Sequence, residues 1–305
     1  MRLRTFFVLV LVFVLPLLAV SAYADTAVLG SASSFAVLGA TPNVTNTGAT
    51  TLNGSLGVSP AASITGLSSI TVNGAPATGN AATHINDALA AAAQSSLTAA
   101  ITGLQGLSSL LLPSAGLSGV LTVNPGVYSS ASTFNLNGTL TLNALGQSNV
   151  AFVFLVGSSL TAQAGSVVNL INAGSNVGVY WVTTASASVL AGANFVGNIL
   201  ATTSITLGQG ATITCGSALA NTGTVTMINN TITNGCQGSI MITPGGTVVG
   251  GPGGGGVPGP GTPPTSVPEP GIFALLSAGL AIGLLSCAKS AKLMDGREVT
   301  LPQGE

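Results

Sequence analysis

The side chains of this chain that could do chemistry are hydroxyls. Ser204 and Thr206, Thr224 and Thr226, and Ser159 and Thr161 stand two residues apart on short runs whose other members are apolar, as in Ser204-Ile205-Thr206-Leu207. In an extended strand that spacing turns both hydroxyls to one side and the apolar residues to the other. Thr45 and Thr65 hold equivalent places in Val44-Thr45-Asn46 and Ser63-Ile64-Thr65. Such groups donate and accept hydrogen bonds and make methyl contacts, but they do not titrate, and without a base beside them they are not nucleophiles. Bases are scarce. Between Asp25 and Ser266 the chain has no Lys or Arg, and its Asp, Glu and His residues reduce to Asp25, His84 and Asp87. Nucleic-acid binding, which runs on phosphate neutralisation, is excluded for this stretch. Acid–base pairs and metal cages need more ligands than it offers, so no catalytic residue, metal or cofactor is expected. His84 and Asp87 read as structural, with Asp87 at the positive end of a helix dipole.

Those hydroxyls need a support that repeats. Across the 305 residues there are 42 Gly and 15 Pro, and charge is 4% against roughly 25% in an average domain. The apolar fraction, 47%, is nevertheless enough for a core. From Thr203 to Met227 the chain reads as four short strands, Ser204–Leu207, Ala211–Thr214, Ser217–Ala220 and Thr224–Met227, separated by Gly- and Asn-bearing corners. The pattern recurs upstream at a spacing of about 17–20 residues, which is the signature of a three-faced β-solenoid. The Val44 strand aligns with the Ile205 strand, Thr50-Thr51-Leu52 aligns with the Ile213 strand, and Ser63-Ile64-Thr65 begins another turn. On the Ile205 strand type the expected outward ladder is Thr45, Thr65, Ser159, Thr161, Ser204, Thr206, Thr224 and Thr226, interrupted at Ala187 and Val189. A second exposed face offers Thr212, Thr214, Thr231 and Thr233, with Asn194 and Val196 beside them.

One segment breaks period two. From Asn86 to Leu104 the apolar positions Leu89, Ala93, Leu97, Ala100, Ile101 and Leu104 follow helical spacing, with Gly103 and Gly106 ending the helix. Val150–Val156 and Val179–Val182 are apolar at both parities, as strands buried on both faces must be, so the helix is expected to cover them. Cys215 and Cys236 follow corresponding strands of successive rungs, and stacking brings them within disulfide range.

The ends read as addresses. Arg2 and Arg4, the apolar run Phe6–Val20 and Ala22-Tyr23-Ala24 make residues 1–24 an expected secretory signal peptide, ahead of a folded domain over 25–244. Residues 245–266 have a Gly/Pro linker composition. Residues 267–292 carry Pro268, Glu269 and Pro270, an uncharged run Ile272–Ala288 and then Lys289 and Lys292, with a polar tail over 293–305. This resembles the PEP-CTERM sorting signal of Gram-negative bacteria. The resemblance implies an exosortase-type sorting enzyme, a membrane-anchoring segment and delivery to the cell surface or its extracellular polysaccharide. Cys287, within the apolar run, reads as a buried small residue.

The central stretch also carries a resemblance. Ser33-Ser34-Phe35-Ala36-Val37-Leu38, Thr45-Asn46-Thr47-Gly48, Asn53–Pro60, the Phe152 and Trp181 strands and Ile199–Leu207 are similar to the microbial ice-binding protein family, from about Ala27 to Thr233. That resemblance implies an irregular, right-handed β-helix with a long helix alongside, and ice or ordered water as the ligand. An ice face in that family is sometimes marked by Thr, a small residue, any residue, then Thr or Asn, and Thr47-Gly48-Ala49-Thr50 fits. The alternative is a non-enzymatic surface adhesin or matrix protein sharing the same export signals.

Overall fold

A computed structural model describes residues 28–111, 117–238, 241–242 and 248–249, all within a compact unit, Met1–Gly256. The signal segment, most of the linker, Pro268, Glu269, Pro270, Cys287 and the polar tail lie outside the described residues. Within the expected linker, Val248–Val249 pairs antiparallel with Met241–Ile242.

Short strands of period two stack into two sheets of nine and fifteen strands, parallel except where Ala75–Pro76 turns back on Ile70–Val72 at one edge. The larger sheet wraps two sides of the solenoid, because strand Phe134–Asn143 belongs to both. Its first residues pair with Leu160–Ala162 and its last with Val167–Ile171. It turns between them at Gly138, where φ is +96° and a Cβ would stand 2.5 Å from the Gly119 carbonyl oxygen. The expected three faces are therefore present.

The order of rungs is not the order of the chain. Strand Phe35–Gly39 pairs with Ser55–Val58 on one side and with Ala218–Ala220 on the other. The N-terminal rungs thus stack outward from the C-terminal one, as in Val44↔Val225 and Thr51↔Thr231. The helix Ala88–Gln105 leads away from them, and the chain winds back from strand Leu110–Leu111. Rung length varies: the registers Ala151↔Gly178, Trp181↔Ile199 and Ile199↔Ala218 correspond to 27, 18 and 19 residues.

Inside the solenoid, Phe152, Phe154, Trp181, Phe195, Ile205, Leu207, Ile213, Val225 and Ile232 form one core. The nine-stranded sheet is buried on its outer side too, where Val153, Tyr180, Val182, Leu200 and Leu219 meet Ala93, Leu97, Ile101 and Leu104 of the helix. Apolarity at both parities is thereby explained. Helical position Leu89 is a correction: it is 59% exposed, and Ala90 is buried instead. The other five expected positions are buried, so the stripe departs from the expectation only in the first turn, where residue 90, three before Ala93, takes the inward place instead of residue 89, four before it. Gly103 lies within the helix, and Gly106 is its C-cap.

Asp87 caps this helix, its Oδ1 accepting from the Ala90 N–H at 2.8 Å while Oδ2 meets His84 Nδ1 at 2.8 Å. The Ala90 N–H, opposed by burial and assisted by His84, holds the carboxyl below its ordinary value. A depressed carboxylate stabilises the fold above its unfolded pKa and ceases to as pH falls through the folded value. Asp87→Ala is expected to cost about 1 kcal/mol at neutral pH. The deficit relative to the parent should shrink below about pH 4 in thermal unfolding.

Candidate functional site: a ladder of hydroxyls

Seven parallel strands make one exposed face of the larger sheet. Their central outward residues stack in strict register as Thr65, Thr45, Thr226, Thr206, Ser188, Thr161 and Asn135. Two residues earlier, just ahead of these strands, stand Ser63, Asn43, Thr224, Ser204, Ser186, Ser159 and Thr133. The backbone ladder continues there, for example from Ile205 N–H to Thr224 O at 2.9 Å and from Ala187 N–H to Ser204 O at 2.9 Å. All eight ladder residues expected from sequence lie on this face, five in the first column and three in the second. Strand spacing of about 4.8 Å makes the first column roughly 29 Å long, with the second column about 7 Å away.

Ala187 and Val189 do not interrupt the ladder. Both are buried, and Ser188 is the outward residue, paired between Thr161 and Thr206. The expected register was slipped by one residue, which turns every side chain over. The signal that corrects it is local: Ala187-Ser188-Val189 has the same apolar–polar–apolar order as Ile205-Thr206-Leu207. Sequence reading also missed Ser186, Asn43 and Asn135, whose register depends on which distant strand lies alongside. The Thr47-Gly48-Ala49-Thr50 motif does not place two threonines on one exposed surface. Thr50 is buried at a corner, donating to Asn46 Oδ1 at 2.6 Å and accepting from the Asn230 N–H at 3.1 Å.

Among the described residues, none hydrogen-bonds the side-chain hydroxyls of Thr161, Ser188, Thr206 or Thr226. At one end of the ladder, Thr45 donates to Asn43 Oδ1 at 3.2 Å, and Asn43 Nδ2 donates to Thr65 Oγ1 at 3.4 Å. In the second column, Ser204 Oγ accepts from the Thr224 N–H at 3.2 Å. The middle of the face thus offers unspent donors and acceptors, and its threonines add stiff, β-branched stems with methyl groups.

The second face is less even. Its outward column runs Thr71, Thr51, Thr231, Thr212, Asn194, Val167 and Thr139. Strands Val167–Ile171 and Asn194–Val196 pair only at Val167↔Asn194. Beside that pair, where the 27-residue rung meets the 18-residue one, a groove of about 520 Å³ opens. Val196, Asn169, Leu170 and Thr214 line it together with Cys215. Cys215 is bonded to Cys236, with Cα atoms 5.0 Å apart, as their places in successive rungs imply. Closing a loop of this length contributes about 3 kcal/mol in the chain-entropy account.

The chain is a parallel β-solenoid with one face under a helix and another presenting seven registered rows of Thr, Ser and Asn, with no titratable side chain in either column. The chain belongs to the ice-binding-like family, which it matches over residues 38–233. The ice-binding protein of Nostoc sp. (strain HG1) is 42% identical over 217 residues, 70% of this chain and 76% of that protein. The crystal structure of an ice-binding protein from an Antarctic biological consortium aligns with a TM-score of 0.61 at 38% identity, covering 67% of this chain and 89% of the other. That of the ascomycete Antarctomyces psychrotrophicus gives 0.60 at 33% identity, covering 68% and 97%.

Proposed function

We propose that this protein adsorbs to ice through the seven-strand hydroxyl face and thereby inhibits ice growth or recrystallisation. The observation that carries this reading is the in-register column from Thr65 to Asn135 with free hydroxyls at its centre. Ice is uncharged and presents only a lattice of hydrogen-bonding water. A rigid array whose hydroxyls and methyls are already fixed loses little side-chain entropy on meeting it. Regular spacing lets waters bound along the columns take up an ordered arrangement before the surfaces join, at small further cost. Long charged side chains would spoil both effects, and the face carries none.

The purified protein is expected to shape ice crystals, inhibit recrystallisation and produce thermal hysteresis. A folded protein that leaves ice growth unchanged would sink this reading and leave the adhesin or matrix alternative. For delivery, residues 1–24 act as an export signal, and Pro268, Glu269 and Pro270 with the following apolar run engage an exosortase-type enzyme and the membrane. Intact mass of the exported chain tests removal of either end.

A further inference from the structure

We propose that the groove on the second exposed face is a binding site for a neutral sugar ring, separate from the hydroxyl ladder and independent of the ice reading.

The groove exists because a strand ladder stops early. Strands Val167–Ile171 and Asn194–Val196 pair at Val167↔Asn194, where the Asn194 N–H donates to Ser166 O at 2.9 Å. In a parallel pair every other residue turns both main-chain groups to the same neighbour, so a second step would join the Leu170 N–H to the Val196 carbonyl. That step is not made. The Val196 carbonyl accepts from Trp181 Nε1 at 3.0 Å instead, and the chain turns away at Gly197, where φ is +108°. Strand Val167–Ile171 runs on along its other neighbour as far as Asn143↔Ile171. Leu170 is left lining the groove, with its N–H and C=O directed into the gap.

Side chains add to this edge. Asn169, Asn194 and Thr214 are exposed, and among the described residues none hydrogen-bonds the side chains of Asn169 or Thr214. Asn194 Oδ1 accepts from Thr212 Oγ1 at 2.9 Å, which leaves the amide hydrogens of Asn194 unspent. Between these polar groups lie the half-buried side chains of Val167 and Val196. The disulfide to Cys236 fixes the wall at Cys215, so the site is formed before a ligand arrives.

This lining selects its ligand. A carboxylate or phosphate would lose hydration with no cation to compensate it, because no Lys or Arg stands between Asp25 and Ser266. A wholly apolar ligand would leave Asn169, Thr214 and the Leu170 main chain dry and unpaired. A pyranose meets both demands. Its hydroxyls donate and accept at once, and the C–H face of its ring packs on aliphatic side chains. The volume of about 520 Å³ lies within the roughly 300–1,000 Å³ of small-molecule sites. A free sugar and a unit of a neutral polysaccharide present this same chemistry.

Saturation-transfer NMR with maltose and with dextran tests this on the purified protein, with melting temperature as a control for folding. Saturable binding is expected, and it should shift the emission of Trp181, the one tryptophan of the chain, whose indole is bonded to the groove wall. Asn169→Ala and Thr214→Ala should each weaken binding roughly fivefold, the scale of one neutral hydrogen bond. Asn169→Tyr, which places a ring in the groove, should abolish it. Binding of maltose shows that a free sugar suffices; binding of dextran alone assigns the site to a unit within a polymer. No saturable binding of either, or binding that Asn169→Tyr leaves intact, would overturn the proposal, and neither result touches ice adsorption.

Discussion

Thr206→Tyr combined with Thr226→Tyr is expected to raise the protein concentration needed to halt ice recrystallisation at least about tenfold, the equivalent of 1.4 kcal/mol of lost adsorption. The two residues are paired neighbours near the middle of the seven-strand column. A tyrosine ring at either place stands above the methyl plane and holds the flanking rows off the surface. Dispersion contacts and water-bridged hydrogen bonds both fail over such a gap. The fold should not notice. Both side chains point outward from strands whose inward partners, Ile205, Leu207, Val225 and Met227, are fully buried and unchanged. Exposed substitutions of this kind alter stability by about 0.5 kcal/mol or less, so the melting temperature should move by less than about 2 °C. Equal loss of activity and of melting temperature would mean that the variant reports on folding and not on the face.

The second large effect belongs to the core. Trp181→Ala is expected to cost about 3–5 kcal/mol and to lower the melting temperature by roughly 10 °C, measured by thermal unfolding. Trp181 stacks on Phe154 with ring centroids 3.9 Å apart and an interplanar angle of 9°. It also meets Phe195 at 5.0 Å and Phe134 at 5.9 Å, so a single indole ties together side chains of three rungs. Its Nε1–H donates to the Val196 carbonyl at 3.0 Å, beside the groove on the second face. Removing the ring leaves a cavity and an orphaned acceptor near the place where the rungs already part. Trp181→Phe keeps most of the stacking and should recover more than half of the loss.

Much of this was legible in the sequence because period two and stacking are both local rules. Ser204-Ile205-Thr206-Leu207 declares its own inside and outside, and the double-sided apolarity of Phe152–Val156 announces a covered sheet. What stayed hidden depends on neighbours far along the chain. The Ala187–Val189 strand is the exception, because its own apolar–polar–apolar alternation puts Ser188 outward. Thr50 looks like an outward threonine until Asn46 and Asn230 close around it. The groove arises from a mismatch between rungs of 27 and 18 residues, and no single strand carries a mark of it. Leu89 and Ala90 exchange roles because spacings of four and of three residues before Ala93 both suit a helical stripe.

The placement of the first strand in the middle of the stack governs how the molecule can be made. An ordinary solenoid grows by adding each turn to the one before it, and a partial chain already has partial stability. Here Val37 waits for Ala218, Val44 for Val225 and Thr51 for Thr231. A nascent chain that stops short of these residues has synthesised its opening turns without the surface on which they rest. Completion is therefore a single closing event that comes late in synthesis, when the last turns supply the surface on which the first ones rest.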